Sequence, residues 1–416
     1  MASDSVFRTQ VSGLSAKAEG IVIHEGSLYF IEGVVPGDEV VCKITSGETR
    51  TKNAELINIE KVSPFRTEAP CSFFGRCGGC SLQHISYNAQ LFEKEKILRS
   101  ALSRMTGIEE IPPIEINPSS PFEYRERFQF HRVELEKHRE HPSGHKQSGL
   151  SAPLNAAAPR QRDLCGFATH RSHDIIPVND CMIASKIIRD ALQSGMIKPP
   201  LDKNRWTVYG RETTLLQEGG KERGKIYMHG KEIYLDAALF FQSNSALLEK
   251  LIERIIVIAE GAEKKSRAGD FYCGVGTFAV FLRDIFPELD LLEENTASLA
   301  LARENLTRTQ HGGQANKGIR FFPMTDNQWV KSGKHESYAF LVVDPSRQGL
   351  SSLMRQWLCQ HKPDILAYVS CEPFALARDA KELLSAGFYL DSLTLYDFYP
   401  QTTHIETLAV FRKSAP

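Results

Sequence analysis

Residues 369–379 read Val-Ser-Cys-Glu-Pro-Phe-Ala-Leu-Ala-Arg-Asp, and this pattern is typical of a junction between a strand and a helix. The apolar residues 365–369 predict a buried strand that ends immediately before Cys371. Pro373 stands where the first turn of a helix accepts proline, and an amphipathic pattern follows it. Because α/β proteins place ligand sites at the carboxyl ends of buried strands, we expect Cys371 to lie in such a site. A single cysteine is more often a small core residue, so this interpretation depends on the flanking motifs.

Two further motifs flank this junction. Residues 344–350, Asp-Pro-Ser-Arg-Gln-Gly-Leu, follow an apolar strand, and His-Ile-Glu at 404–406 precedes the last one. The three motifs, in this order, resemble those of the RNA uridine-5 methyltransferases, which read DPPRxGL, SCNPxTLARD and H-[IV]-E. The chain departs from that pattern at Ser346, where the family has Pro, and at Glu372, where it has Asn. The resemblance reaches the N-terminal parts and covers nearly the whole chain.

The resemblance implies covalent catalysis. Addition of the Cys371 thiolate to carbon 6 of uracil would make carbon 5 nucleophilic, and Glu406 would then remove the carbon 5 proton. Arg347 and Arg378 are candidate stabilisers of the phosphate or enolate, or equally structural ion-pair partners. Glu372 is expected to raise the pKa of Cys371 by like-charge repulsion. The target uridine should be flipped out of its stack to reach the thiol.

The C-terminal half has the pattern of a cofactor-binding α/β domain. Alternating strands and helices over 265–412 predict a doubly wound sheet with an antiparallel last strand. Glycines in the Cys-Gly-Val-Gly turn at 273–276 favour a close backbone approach to a ligand, followed by a helix over 278–286. Glu293, rather than Glu294, is placed to bind ribose hydroxyls. By resemblance the ligand is S-adenosylmethionine, and its predicted contacts are Gln242, Tyr272, Thr277, Glu293, Asp326 and Asp344.

Three of the nine cysteines, Cys71, Cys77 and Cys80, are clustered. Thiolates select zinc or iron and sulfur, so this pattern by itself leaves both possible. The resemblance implies a [4Fe-4S] cluster, because Leu-Gln-His at 82–84 and a Gln-x-x-x-Lys helix at 90–94 follow as they do in the family. The implied fourth ligand is Cys181, for which Cys165 is the competitor.

The remaining segments predict two smaller domains. Short β-rich runs with Gly and Pro turns predict an OB-like barrel over 1–64, similar to the family's TRAM domain. A central α+β domain is expected over 65–235, and the Rossmann-like class I methyltransferase domain over 236–416. Arg125 and Arg127 are expected to share one strand face, either gripping RNA or forming surface ion pairs. Residues 134–162, poor in large apolar side chains, are interpreted as a mobile insertion.

Composition sets the outer limits of these hypotheses. A chain of 416 residues with 42% hydrophobic and 24% charged residues is expected to be globular and to hold two or three domains. Its formal charge of -1 weakens the expectation of RNA binding without excluding it. No apolar run is long enough to span a membrane and no signal peptide is recognised, so a cytoplasmic enzyme without membrane or obligate protein partners is expected.

The leading hypothesis is methylation of uridine C5 in RNA, with 23S ribosomal RNA as substrate. A uridine in the tRNA T-loop is the close alternative. A non-catalytic RNA-binding or assembly factor with a methyltransferase fold is the alternative from another class. A radical enzyme is disfavoured because its cluster would need the spacing Cys-x₃-Cys-x₂-Cys.

Overall fold

The computed structural model describes residues 6–46, 51–108, 110–133, 164–170, 172, 174–220, 223–308, 318–333 and 335–413. The predicted insertion at 134–162 lies outside these described residues. Among the helices in these ranges, none combines the length and the apolar character that a membrane crossing requires.

The N-terminal sheet is all-β, as the sequence predicted. Its strands are β1 (Val6–Gln10), β2 (Gly13–Leu14), β3 (Gly20–His24), β4 (Ser27–Ile31), β5 (Glu39–Ser46) and β6 (Thr51–Lys61), in the order β1-β5-β6-β4-β3-β2. Alternation along the strands buries Val22, Ile31 and Cys42 in a small core of its own.

The middle of the chain forms a five-stranded antiparallel sheet in the order β10-β9-β8-β11-β12, followed by the hairpin β13–β14. The elements are α1 (Tyr87–Thr106), β7 (Ile114–Asn117), β8 (Arg127–Arg132), β9 (Cys165–Ala168), β10 (Ile175–Pro177), α2 (Lys186–Gln193), β11 (Arg205–Arg211), β12 (Thr214–Gln217), β13 (Gly224–Met228) and β14 (Lys231–Leu235). Phe130, Trp206 and Val208 are fully buried between this sheet and α2.

The C-terminal sheet has eight strands in the order β17-β16-β15-β18-β19-β21-β20-β7. Its elements are α3 (Ser245–Glu260), β15 (Arg267–Phe271), α4 (Ala279–Leu282), β16 (Glu288–Leu292), α5 (Thr296–Arg308), β17 (Ile319–Phe322), α6 (Asp326–Lys331), β18 (Phe340–Val343), α7 (Ser352–His361), β19 (Ile365–Ser370), α8 (Pro373–Ser385), β20 (Phe388–Tyr396) and β21 (Glu406–Lys413). Strands β15 to β19 are parallel, and β21 is antiparallel to β19. This confirms the predicted doubly wound sheet and its antiparallel ending.

The strand order reverses at β15. The chain proceeds from β15 to β16 and β17 on one side, and then returns to β18 and β19 on the other. Such a switch point opens a crevice beyond the carboxyl ends of the central strands, which is where α/β proteins bind ligands. Strands β18 and β19 are buried along their whole length, so the base of this crevice consists of closely packed strands.

The helix predicted over 278–286 is much shorter in the structure. Only Ala279–Leu282 is α-helical. Beyond it, the Asp284 amide donates to the Phe281 carbonyl and the Ile285 amide to the Leu282 carbonyl, at 3.2 and 3.0 Å. These i to i+3 bonds are mixed with an i to i+4 bond from the Phe286 amide to the Leu282 carbonyl at 3.0 Å, so the segment before Pro287 forms turns rather than a regular α-helix.

Candidate active site

A cleft of about 1720 Å³ lies at the carboxyl ends of the central strands. The sequence-predicted residues that line it are Gln242, Tyr272, Glu293, Asp326, Asp344, Cys371 and Glu406. Thr277, the remaining predicted contact, is not among the lining residues, although it is only three residues beyond Gly274 of the same turn. The fold therefore gathers seven side chains from segments up to 164 residues apart in one cleft.

The glycine turn forms one wall of the cleft. The Gly274 amide donates to Glu293 Oε2 at 3.0 Å, and Glu293 Oε1 accepts from the Asn295 amide at 2.8 Å. Tyr272 has a φ of +62°, which a non-glycine residue adopts only when its surroundings hold it there. Its hydroxyl donates to Asp326 Oδ2 at 2.7 Å, so the ends of β15 and β17 are tied together.

Gln242 faces the cleft from the segment before α3. Its side-chain Oε1 is buried and has no hydrogen-bond partner among the residues that the structure describes. The segment is fixed by Asn244, which accepts from the Leu247 amide at 3.3 Å and donates to Ser119 Oγ at 2.8 Å. A buried amide oxygen without a partner is costly unless a ligand satisfies it, and a ligand in this cleft would do so.

Cys371 lies between β19 and α8, where the sequence placed it, and Pro373 occupies the first helical turn. Burial, then the Glu406 and Asp344 carboxylates, raise the pKa of the Cys371 thiol to about 12. The Arg347 guanidinium acts in the opposite direction on this thiol. In the resting cleft Cys371 is therefore a protonated thiol that needs a neighbouring base to become a nucleophile.

The two carboxyl groups near the thiol are also perturbed. Burial raises the pKa of Asp344 to about 7. Burial and the neighbouring Asp344 raise the pKa of Glu406 well above its ordinary value, while Arg347 lowers it. Glu406 is 3% exposed, and its Oε1 has no hydrogen-bond partner within the described part of the chain. The site thus combines a thiol, two carboxyl groups and one cation, all with access to the cleft.

Glu372 does not have the predicted effect on Cys371. Its carboxylate accepts from the Phe374 amide at 3.3 Å and caps the N-terminus of α8, and the acidic groups that dominate the thiol pKa are Glu406 and Asp344. The expectation of repulsion from Glu372 was therefore wrong, because the residue serves as a helix cap.

The two arginines of the catalytic motifs have different environments. Arg347 lies on the exposed side of the loop after β18 and approaches His404, with Nη2 3.4 Å from a ring nitrogen. Arg378 donates to the Gln348 carbonyl at 2.8 Å and pairs with Asp379. Both arginines line the cleft, and Arg378 in addition holds the loop after β18.

Asp379 organises this loop and was missed by the sequence reasoning. Its fully buried carboxylate accepts from the Leu350 amide at 2.8 Å and the Tyr368 hydroxyl at 2.7 Å, and it also pairs with Arg355 and Arg378. The sequence could have indicated this role, because Asp379 lies in the middle of the apolar face of α8, where a carboxylate is tolerated only if it is paired.

The four predicted cluster ligands, Cys71, Cys77, Cys80 and Cys181, line a second cavity of about 280 Å³. Cys165 is absent from this lining. Gly78 fits closely here, because a Cβ would come within 3.1 Å of the Ala168 and Thr169 carbonyl oxygens and force them to shift. Within the described ranges, no three His, Cys, Asp or Glu side chains converge closely enough to hold a metal ion.

Arg125 connects the two cavities. It lines both of them, together with Gly78 and Gly79, and its guanidinium lies 4.8 Å from the ring centre of Phe128 and 5.9 Å from that of Tyr399. Arg127 lines only the cleft, with its guanidinium 5.4 Å from the ring centre of Phe240. The glycines of the cysteine segment and the two arginines thus form a shared wall of the cleft.

Several known proteins are similar to this chain in sequence. A family described as tRNA (Uracil-5-)-methyltransferase matches residues 223–414. An uncharacterized RNA methyltransferase of Treponema denticola is 30% identical over 94% of this chain and 95% of its own length. The 23S rRNA (uracil(1939)-C(5))-methyltransferase RlmD of Shewanella woodyi is 29% identical, over 97% of this chain and 95% of its own. Its Pectobacterium carotovorum counterpart is 26% identical, over 96% of this chain and 92% of its own length.

A solved structure shares the overall fold. The tRNA (uracil-54, C5)-methyltransferase of Pyrococcus abyssi, crystallised with S-adenosyl-L-homocysteine, aligns with a TM-score of 0.67 at 20% identity. The alignment covers 97% of this chain and all of that one, so the two proteins share their fold over nearly the whole chain, including the class I methyltransferase domain. Together with the family and whole-chain matches, this establishes that the chain belongs to the RNA (uracil-5-)-methyltransferase family.

Proposed function

We propose that the protein methylates carbon 5 of a uridine in 23S ribosomal RNA through a covalent adduct on Cys371. The observation that carries this proposal is one cleft in which a thiol, the carboxyl groups of Asp344 and Glu406, and the Arg347 guanidinium meet beyond the carboxyl ends of the strands. Carbon 5 of uracil is too weak a nucleophile to accept a methyl group directly. Addition of a nucleophile at carbon 6 removes this obstacle.

Addition of sulfur requires that the thiol lose its proton. With a pKa of about 12, roughly three in 10⁵ of the Cys371 side chains are ionised at pH 7.5, against about one in ten for an ordinary thiol. Asp344, whose pKa is about 7, is the carboxylate matched to accept this proton as the sulfur–carbon 6 bond forms. The electron pair then moves to carbon 5 and the carbonyl at position 4, where Arg347 can offset the developing charge.

The second half of the reaction belongs to Glu406. Bound S-adenosylmethionine would supply the methyl group that carbon 5 takes up. Glu406 in its carboxylate form then removes the carbon 5 proton, the ring double bond re-forms, and the sulfur–carbon 6 bond breaks to release the Cys371 thiolate. Arg347 lowers the pKa of Glu406 and favours the carboxylate form that this step needs.

The residues for the methyl donor are those of the glycine turn and its neighbours. Glu293 would bind ribose hydroxyls, Asp326 the adenine edge, and Asp344 the methionine end. Gln242 would offer its unpartnered buried oxygen to the same ligand. Tyr272 and Thr277 complete the proposed set, with Tyr272 also holding Asp326 in place.

The cysteine cavity fits the donor set of a [4Fe-4S] cluster. Four thiols line one cavity, and thiolate ligands select zinc or iron and sulfur. A cluster with four separate iron corners matches four thiols spread around a cavity. Cys71, Cys77, Cys80 and Cys181 would hold it, and it would cross-link the cysteine segment to the middle sheet.

The relatives named as 23S rRNA enzymes match along nearly the whole chain, including the cysteine segment, and this supports ribosomal RNA as the substrate. The decisive test uses the purified holoenzyme, methyl-labelled S-adenosylmethionine, and unmodified transcripts of 23S rRNA and of tRNA. We expect labelled 5-methyluridine in the 23S digest and none in tRNA. Label in tRNA alone would show that the substrate is a uridine of the tRNA T-loop instead of 23S rRNA. Binding of RNA without any label would favour a non-catalytic assembly factor.

A further inference from the structure

Helix α1 has a polar stripe on its buried face. Gln90 is fully buried and Lys94 is 1% exposed, although both lie where an amphipathic helix ordinarily places apolar residues. Polar side chains are retained in such positions only when each of their groups has a partner. Their partners lie about 300 residues away, in the segment 397–404 between β20 and β21.

Gln90 and Gln401 form a reciprocal pair. Gln90 Nε2 donates to Gln401 Oε1 at 2.9 Å, and the Gln401 amide donates to Gln90 Oε1 at 3.0 Å. Gln90 Nε2 also reaches the Leu82 and Ile85 carbonyls, at 3.0 and 2.8 Å. The side chain of Gln90 therefore links the end of the cysteine segment to the segment that follows β20.

The backbone of Gln401 is strained and closely held. Its φ is +67°, a conformation that a non-glycine residue keeps only under external constraint. Its carbonyl accepts from the Ser81 and Leu82 amides at 2.8 and 3.0 Å, and Ser81 directly follows the predicted cluster ligand Cys80. The conformation of Gln401 is thus set jointly by α1 and by the cysteine segment.

Lys94 fixes the same segment at a second point. Its ammonium pairs with the fully buried Asp397 and donates to the Tyr399 carbonyl at 3.1 Å. This segment contributes two residues to the lining of the cleft, Tyr399 and His404, and leads directly to a third, Glu406. The contacts at residues 397 and 401 therefore position these three side chains. Cys371, in contrast, is carried by β19 and α8, outside the segment that Gln90 and Lys94 hold.

We propose that Gln90 is a positioning residue that, through Gln401, aligns Glu406 for removal of the carbon 5 proton and couples this alignment to the cysteine segment. The inference rests on the proposed function, because it assigns a separate step to Glu406. Loss of the Gln90 contacts frees Gln401 and the residues that follow it up to Glu406. Lys94 still holds Asp397 and Tyr399, and Asn244 still donates to the Phe398 carbonyl at 3.3 Å, so the thiol and the methyl-donor residues keep their places. The proton-removal step then becomes slow, and the covalent enzyme–RNA adduct accumulates.

The test compares wild type with Gln90→Met, which keeps side-chain length and removes the amide. Arg99→Met is the matched control on the same helix, since Arg99 is 44% exposed and pairs only with Glu95 among the described residues. Each protein is incubated with unmodified 23S rRNA transcript and S-adenosylmethionine. Turnover, the KM for S-adenosylmethionine, the melting temperature and the fraction of enzyme covalently bound to RNA on denaturing gels are measured.

We expect turnover of Gln90→Met to fall on the order of 10²-fold. Its KM should stay within about twofold of wild type, its adduct fraction should rise, and Arg99→Met should behave as wild type. Unchanged turnover overturns the proposal, and so does a joint loss of turnover, adduct and cofactor affinity, which would indicate a general structural role.

If Gln90→Met does not fold, Gln401→Gly provides the test, because glycine tolerates the positive φ and lacks the side chain that bonds to Gln90. Adduct accumulation in it supports the proposal, and wild-type behaviour refutes it. A wild-type enzyme that yields no adduct and no 5-methyluridine would refute the proposed function instead.

Discussion

Replacement of Glu406 by Gln should affect the two halves of the reaction in opposite directions. The change removes the base for the second half, and a positioned general base contributes about 10²–10⁴-fold. Turnover should therefore fall by that factor, which corresponds to about 3–5 kcal/mol of transition-state stabilisation. Gln is close in size to Glu, so the 3% exposed site should keep its packing.

The first half should become easier. After burial, the Glu406 carboxylate is the largest contributor to the raised pKa of Cys371, and replacing it by a neutral amide lowers that pKa wherever Glu406 is ionised in the wild type. Each unit of decrease raises the thiolate fraction at neutral pH about tenfold, since nearly all of the thiol is protonated there. Adduct formation should accordingly reach a given rate at a lower pH in Glu406→Gln than in wild type.

The assay mixes enzyme, S-adenosylmethionine and 23S rRNA transcript over a range of pH, and follows the covalent band and the release of 5-methyluridine separately. Glu406→Gln should give a stronger band than wild type and little released product. Released product at the wild-type rate would refute the role of Glu406 as the base. An adduct profile shifted to higher pH would contradict the electrostatic account of the thiol.

Three further outcomes follow from the same contacts. Asp379→Ala should cost about 3–5 kcal/mol of stability in thermal or urea unfolding, because it leaves two buried donors without an acceptor and takes a fully buried partner from two guanidinium groups. The control Glu382→Ala, which removes an exposed partner of one of these guanidinium groups, should cost less than about 1 kcal/mol. Cys181→Ala should lose iron, sulfide and visible absorbance after anaerobic purification, whereas Cys165→Ala should keep them; equal iron content in both would contradict the ligand assignment. Gln242→Leu should weaken S-adenosylmethionine binding measured by calorimetry by about tenfold, the loss of one hydrogen bond, and unchanged affinity would exclude that contact.

Local sequence patterns predicted a large part of this architecture. The strand before Cys371, the proline-initiated α8 and the apolar face of α3 each occupy the predicted residues, because their periodicity is resolved within one element. The motifs also located seven of the cleft residues, since the carboxyl ends of parallel strands must meet at one edge.

What the sequence did not predict depends on distant contacts. Gln90 and Gln401 are 311 residues apart, and no local pattern relates them. Glu372 was misinterpreted because a carboxylate next to a thiol in sequence can turn away to cap a helix. The shortened helix α4 was missed because apolar periodicity does not distinguish an α-helix from consecutive tight turns.

The edge strand β7 sets a limit on how this enzyme can be divided. It comes from residues 114–117, yet it pairs in parallel with β20 of the C-terminal sheet, and α1 packs against α8. A fragment starting at residue 236 would leave the backbone donors and acceptors on the β7 side of β20 unpaired, and would expose to water the part of α8 that packs against α1. An open sheet edge of this kind recruits strands from other molecules. Attempts to express the catalytic half by itself should therefore give aggregates, and crystallography or engineering should begin from the undivided chain.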